Sequence, residues 1–144
     1  MFKSVLLPID LSAKESWSKA APAAIKMARD NGIPLHVVTV VPDFGTSMVG
    51  MYFEDGFEKK ALHEAGEHIN TWVAENVATG VEVHGHVLHG RVYDQIINAA
   101  DKLGCDVIVM GSHQPQITDY LLGPNAASVV RHAKQSVFVI RPDR

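Results

Sequence analysis

The residues best placed for chemistry lie between Val107 and Ile140, in the stretch VIVMGSHQPQITDYLLGPNAASVVRHAKQSVFVI. An apolar run ends there in Gly111-Ser112-His113, and Gly123 stands twelve residues after Gly111, just ahead of a helical pattern. Glycine lets a backbone come close to a ligand. A helix opening after Gly123 leaves the N–H groups of Asn125 and Ala126 without acceptors and aligned with the helix dipole, which makes an anion site by geometry. Two such segments facing each other can cradle a polyphosphate. His113 can either hydrogen-bond a phosphate or order the loop.

Other reactive side chains give less. Of eight histidines, His84, His86 and His89 cluster in one strand pattern, and His84-Gly85-His86 sets two rings on one face. That is a possible metal pair, but no Cys, Asp or Glu stands at matching spacing. The pair is therefore read as solvent-facing, and no metal site is assigned. There is no nucleophile elbow, Walker lysine or CxxC. Arg91 and Arg131 are the few cations near the presumed anion site. Without a cation, base or nucleophile in view, efficient phosphoryl transfer is hard to build. A dedicated enzyme is not expected.

The elements that must position these residues alternate along the chain. Phe2–Ile9, Ile33–Val41, Val81–Leu88, Cys105–Met110 and Ser136–Ile140 read as strands. Ile33–Val41 is β-branched with few polar breaks, as in a parallel sheet buried on both faces. Ser12 with Glu15 resembles a capping box opening a helix that runs to about Asn31. Gly32 stops that helix, and Pro22 should kink it or delay its regular part. Phe57–Val77 reads as a helix with Leu62, Ala65, Ile69 and Trp72 along one face. Val92–Leu103 follows, with Gly104 closing it, and Asn125–Lys134 is a shorter helix. Pro42–Gly56 is an apolar loop with three glycines. Five strands with helical crossovers imply a parallel, doubly wound α/β sheet with four helices. Ligands of such sheets bind beyond the carboxyl ends of the strands, where strand order reverses.

The whole chain bounds the partners. Its 144 residues are one domain's worth, assigned to 1–144. Thirteen Lys+Arg against sixteen Asp+Glu give a net charge of −3, which argues against nucleic acid held through phosphate contacts. Cys105 is the single cysteine and reads as buried core. No signal peptide and no apolar run of ~18 residues is evident, so no membrane insertion and a cytoplasmic location are expected.

The glycine loop, the opening LLPID, Gly90–Ile96 (G-x-x-x-D-x-I) and the closing VVRHA…SVFVIRP together resemble the universal stress protein family. The S-H-x-P-x-I-T-x-Y-L-L-G wording is similar to a bacterial single-domain branch of it. The resemblance implies a Rossmann-like, adenine nucleotide alpha-hydrolase-like fold and ATP, with or without Mg²⁺, as ligand. It places adenine at Pro8, Ile9, Asp10 and Val40. It places ribose and phosphates at Met110, Gly111, Ser112, His113, Gln114, Gly123, Asn125 and Ala126. Two departures from the family pattern G-x2-G-x9-G-S/T stand out. Gln114 replaces the second glycine and the following interval is one residue shorter. Pro124 replaces the Ser/Thr, which removes a hydroxyl and an N–H donor, although proline suits a first helical position. Asp10 would repel a triphosphate unless it binds ribose hydroxyls or a bridging Mg²⁺.

Ser136–Ile140 should lie at a sheet edge, yet it is apolar and free of Lys and Pro. Such an edge invites pairing across a two-fold axis, and the family resemblance implies a homodimer of that kind. The alternative is cover by the Pro42–Gly56 loop, which is also suited to a lid or partner surface. The reading is thus an ATP-binding, homodimeric regulator of stress survival. The alternatives are a member acting only through protein contacts, with an unidentified partner, and a slow ATPase using His113 or Asp10.

Overall fold

Val5, Leu6, Leu7, Val107, Ile108 and Val109 are apolar on both faces of their strands, and all are fully buried. These two runs form the centre of the sheet. The computed structural model describes residues 1–41, 57–112 and 123–141. Within them, β1 (Val5–Pro8), β2 (Leu35–Val41), β3 (Val83–His89), β4 (Val107–Gly111) and β5 (Ser136–Ile140) make one parallel sheet in the order β3-β2-β1-β4-β5. Among the described residues four α-helices connect them: α1 (Ala20–Asn31), α2 (Phe57–Asn76), α3 (Val92–Leu103) and α4 (Pro124–His132). This is the parallel doubly wound α/β fold that the alternating pattern implies.

The two faces of the sheet carry separate cores. Val5, Leu7, Leu35 and Val37 pack with Ile69 and Trp72 of α2 and with Ala20, Ala21, Ala24 and Ala28 of α1. The alanine stripe lets α1 lie close against the strands. On the other face Leu6, Val38, Ile108 and Met110 pack with Ile96, Ala99 and Ala100 of α3 and with Ala126 and Val129 of α4. The helix ends follow local chemistry. Gly32 and Gly104 take left-handed conformations at φ 61° and 70° and return their N–H groups to the last turns of α1 and α3.

Several boundaries depart from the sequence reading for identifiable reasons. β1 begins at Val5 because the amides of Lys3 and Ser4 donate to the Asp106 carboxylate at 2.9 and 3.2 Å. That clamp ties the start of β1 to the start of β4. β4 begins at Val107 because the Cys105 amide still closes α3, donating to the Ala100 carbonyl at 2.9 Å. Cys105 is buried. The Ser12–Glu15 capping box does not form. Ser12 donates instead to Asp10 Oδ1, through its N–H at 3.0 Å and its hydroxyl at 2.6 Å. A 3-10 turn at Lys14–Ser16 follows, with no side-chain cap, and α1 starts only at Ala20. Pro22 therefore falls in the first turn of α1, where a missing N–H costs little. The Pro42–Gly56 loop lies outside the described residues.

Candidate functional site

The site begins with a proline. The amides of Val5 and Ile9 donate to Pro34 and Val38 carbonyls at 3.0 and 2.8 Å, so odd-numbered β1 residues bond toward β2. Even-numbered residues must then bond toward β4, and Pro8 has no N–H to offer. The β1–β4 register accordingly ends at Leu6↔Ile108, while β1 stays paired with β2 through Pro8↔Val38. β4 meanwhile stays with β5 as far as Gly111↔Ile140, and the Ser112 amide is committed to the Ile140 carbonyl at 3.1 Å. The ladder between β1 and β4 thus stops short at the point where strand order reverses. That is where doubly wound sheets hold ligands.

A cleft of about 350 Å³ occupies this point, within the usual size range of small-molecule sites. Pro8, Ile9 and Asp10 line it from β1, Val40 from β2, Met110, Gly111 and Ser112 from β4, and Gly123, Asn125 and Ala126 from the start of α4. The structure therefore brings together every candidate residue that it describes. His113 and Gln114 lie outside the described residues. Sequence reasoning missed Val38, Val92, Ile96 and Ser16, which also line the cleft. Val38 had a signal in its alternation with Val40, and Val92 and Ile96 in the inward stripe of α3. Ser16 had none, because its place depends on the turn it sits in.

That turn explains Gly111. A Cβ at Gly111 would lie 2.6 Å from the Ser16 carbonyl oxygen, so the backbone approaching this glycine belongs to the chain itself. The sequence reading assigned the close approach to a ligand; in the structure the Ser16 backbone makes one, and Gly111 also lines the cleft. The turn is well fastened. Asp10 N–H donates to Ser16 Oγ at 3.0 Å. Trp17, beside it, meets Trp72 edge to face at 5.4 Å. The turn and the end of β1 thereby form one wall of the cleft.

Charge across the cleft is uneven. Among the described residues lining it there is no Lys, Arg or His, and Asp10 is the one acid. Arg91 is engaged elsewhere, with Tyr93 Oη at 3.1 Å and Asp94 at 3.4 Å, and the Tyr93 bond followed by Asp94 raises its pKa. The positive element is the start of α4. Gly123 is extended at φ −63°, ψ 159°, with Pro124 in the first helical position. The Ala127 amide makes the first helical bond, to the Gly123 carbonyl at 2.9 Å. Asn125 and Ala126 thus keep N–H groups that have no intrahelical acceptor. Pro124 lines the cleft and removes one donor from this set. Apolar side chains of β2 and α3 and a polar rim from the β1 turn and α4 suit a ligand with a flat apolar part and an anionic part.

Fold and site define a doubly wound α/β domain with a ligand-type cleft at its switch point. The sequence profile of the Universal stress protein family matches residues 1–141, and the chain belongs to that family. It is 36% identical to Universal stress protein G of Escherichia coli O157:H7 over 143 residues, covering 98% of this chain and 100% of that one. The solved structure of MJ0577 superposes with a TM-score of 0.76 at 23% identity, covering 100% of this chain and 99% of that one. A universal stress protein in complex with cAMP superposes at 0.63 and 21% identity, covering 99% and 98%. The Archaeoglobus fulgidus universal stress protein in complex with dAMP superposes at 0.65 and 21% identity, covering 96% and 97%.

Proposed function

We propose that this protein binds an adenine nucleotide, ATP, between the ends of β1 and β4, and that it acts as a homodimeric regulator of stress survival. The nucleotide changes the surface or stability of the dimer. The observation that carries this reading is the cleft opened by Pro8 beside the free Asn125 and Ala126 amides of α4. The cAMP and dAMP bound by two structural relatives support the adenine class. Adenine meets Ile9, Val40 and Met110, and the phosphates meet the α4 amides. Mg²⁺, when the triphosphate brings it, finds Asp10 as its acidic contact.

Turnover is slow at most. Asp10 Oδ1 already accepts two hydrogen bonds from Ser12, and no cation lines the described cleft to stabilise phosphoryl transfer. The homodimer forms through β5, an edge strand in the sheet order, where Phe138 is 42% exposed. Two such edges pair antiparallel about a two-fold axis. No helix among the described residues is long and apolar enough to cross a membrane, and the proposed location is the cytoplasm. Pro124 favours a second reading, a family member that works through protein contacts without nucleotide.

The variant Asn125→Glu tests the α4 site. An acid in the first turn of a helix stabilises it by about 0.3–1 kcal/mol, so the fold survives. The same charge faces the phosphates and should weaken ATP binding at least about tenfold. Unchanged ATP affinity in that variant excludes the α4 site.

A further inference from the structure

Among the described residues β3 lies at the sheet edge and pairs with β2 alone. The register sets His36 opposite His84 and Val38 opposite His86, and His36 Nδ1 stands 2.9 Å from His86 Nε2. Ring centres 5.1 Å apart, with the facing nitrogens at 2.9 Å, place these rings end to end rather than face over face. That is the geometry of an N–H···N hydrogen bond. His84 lies beside His36 at 5.1 Å, and its Nε2 contacts the Glu82 carboxylate at 2.9 Å. The two close nitrogens face each other rather than a common point, the arrangement of a hydrogen-bonded pair. Among the described residues no three His, Cys, Asp or Glu side chains are placed to hold an ion.

An imidazole pair joined this way needs one donor and one acceptor. Protonating both rings would set two N–H groups and two positive charges against each other. We propose that the His36–His86 hydrogen bond is a proton-released latch that fastens edge strand β3 to β2 while at least one ring stays neutral and opens when acid protonates both. His84 is exposed, as the sequence reading expects, and His86 is half-buried against His36. Burial, then the charges of His86 and His84, hold the His36 pKa below its ordinary 6.5, with Glu82 opposing. Burial, then His84, do the same to His86. α3 packs on this face through Ile96, and none of its charged groups is among those acting on either ring.

The unfolded chain binds more protons than the folded one near these pKa values. The contribution to stability is therefore complete above 6.5 and lost as pH falls through the folded values. The strand leads on through Gly90, whose N–H donates to the Val41 carbonyl at 3.0 Å, into α3 and the cleft-lining Val92. A loosened β3 therefore bears on that wall.

The test uses the full chain without nucleotide. Side-chain ¹⁵N spectra should show His36 and His86 titrating below 6.5, with one ring nitrogen of the pair accepting a hydrogen bond. Between about pH 7.5 and about pH 5, amide protection in β3 should fall at least about tenfold relative to β1. His86→Gln should lose most of that pH dependence. Equal pH dependence in wild type and variant, or both rings titrating at the ordinary value, overturns the latch. Should His86→Gln fail to fold, the ¹⁵N titration of the wild-type chain decides the matter alone.

Discussion

Gly111→Ala tests the construction of the cleft independently of any ligand. On the existing backbone the new Cβ would sit 2.6 Å from the Ser16 carbonyl oxygen and 3.3 Å from its carbonyl carbon. Gly111 is not among the glycines with positive φ, so alanine meets no conformational penalty there and the whole effect comes from overlap. The obstructing atom is backbone, in a turn fixed by the Ser16 amide on the Ala13 carbonyl at 2.9 Å and by Ser16 Oγ on the Asp10 amide. It cannot swing aside as the tip of a long side chain would. Overpacking of this kind costs about 1–3 kcal/mol. For a chain of this size that lowers the melting temperature by about 3–10 °C. Urea unfolding and thermal melts of ligand-free protein measure it. Gly66→Ala is the control, since Gly66 lies in α2 with open space where its Cβ would go; it should stabilise by about 0.5–1 kcal/mol. A Gly111→Ala protein within about 0.5 kcal/mol of wild type would refute the claim that the Ser16 turn demands glycine here.

Two further outcomes follow from the same geometry. Pro124→Ser restores an N–H at the first position of α4 and should tighten ATP binding by roughly tenfold, about one charge-assisted hydrogen bond; unchanged affinity means that this position does not touch phosphate. Phe138→Asp puts a charge on the exposed face of β5, beside Phe2 at 6.1 Å. Sedimentation should then report a folded monomer, and a persistent dimer would place the interface elsewhere.

Much of the fold was legible because local signals and tertiary demands agree. The ends of α3 and β5 match the sequence reading, since Gly104 stops one and Lys134-Gln135 precede the other without continuing α4. Where signals competed, local chemistry decided. The Ser12 hydroxyl found Asp10 two residues back before it could cap a helix. The role of Gly111 depends on Ser16, and the pairing of His36 with His86 depends on strand register; neither can be read along one segment. Pro8 was visible as a residue, but its effect required knowing which way the neighbouring amides point. The candidate cleft was legible because switch-point sites follow from strand order once the strands are placed. Its missed members, Val38 and Ser16, come from the same geometry seen from the side.

The most direct test of the account is a calorimetric titration of nucleotide-stripped protein with ATP, with and without Mg²⁺. Saturable binding of one nucleotide per chain is expected, with thermal stabilisation by mass action. No heat and no stabilisation at millimolar ATP would contradict it, and would leave Pro124 as the residue that closes the α4 site to phosphate.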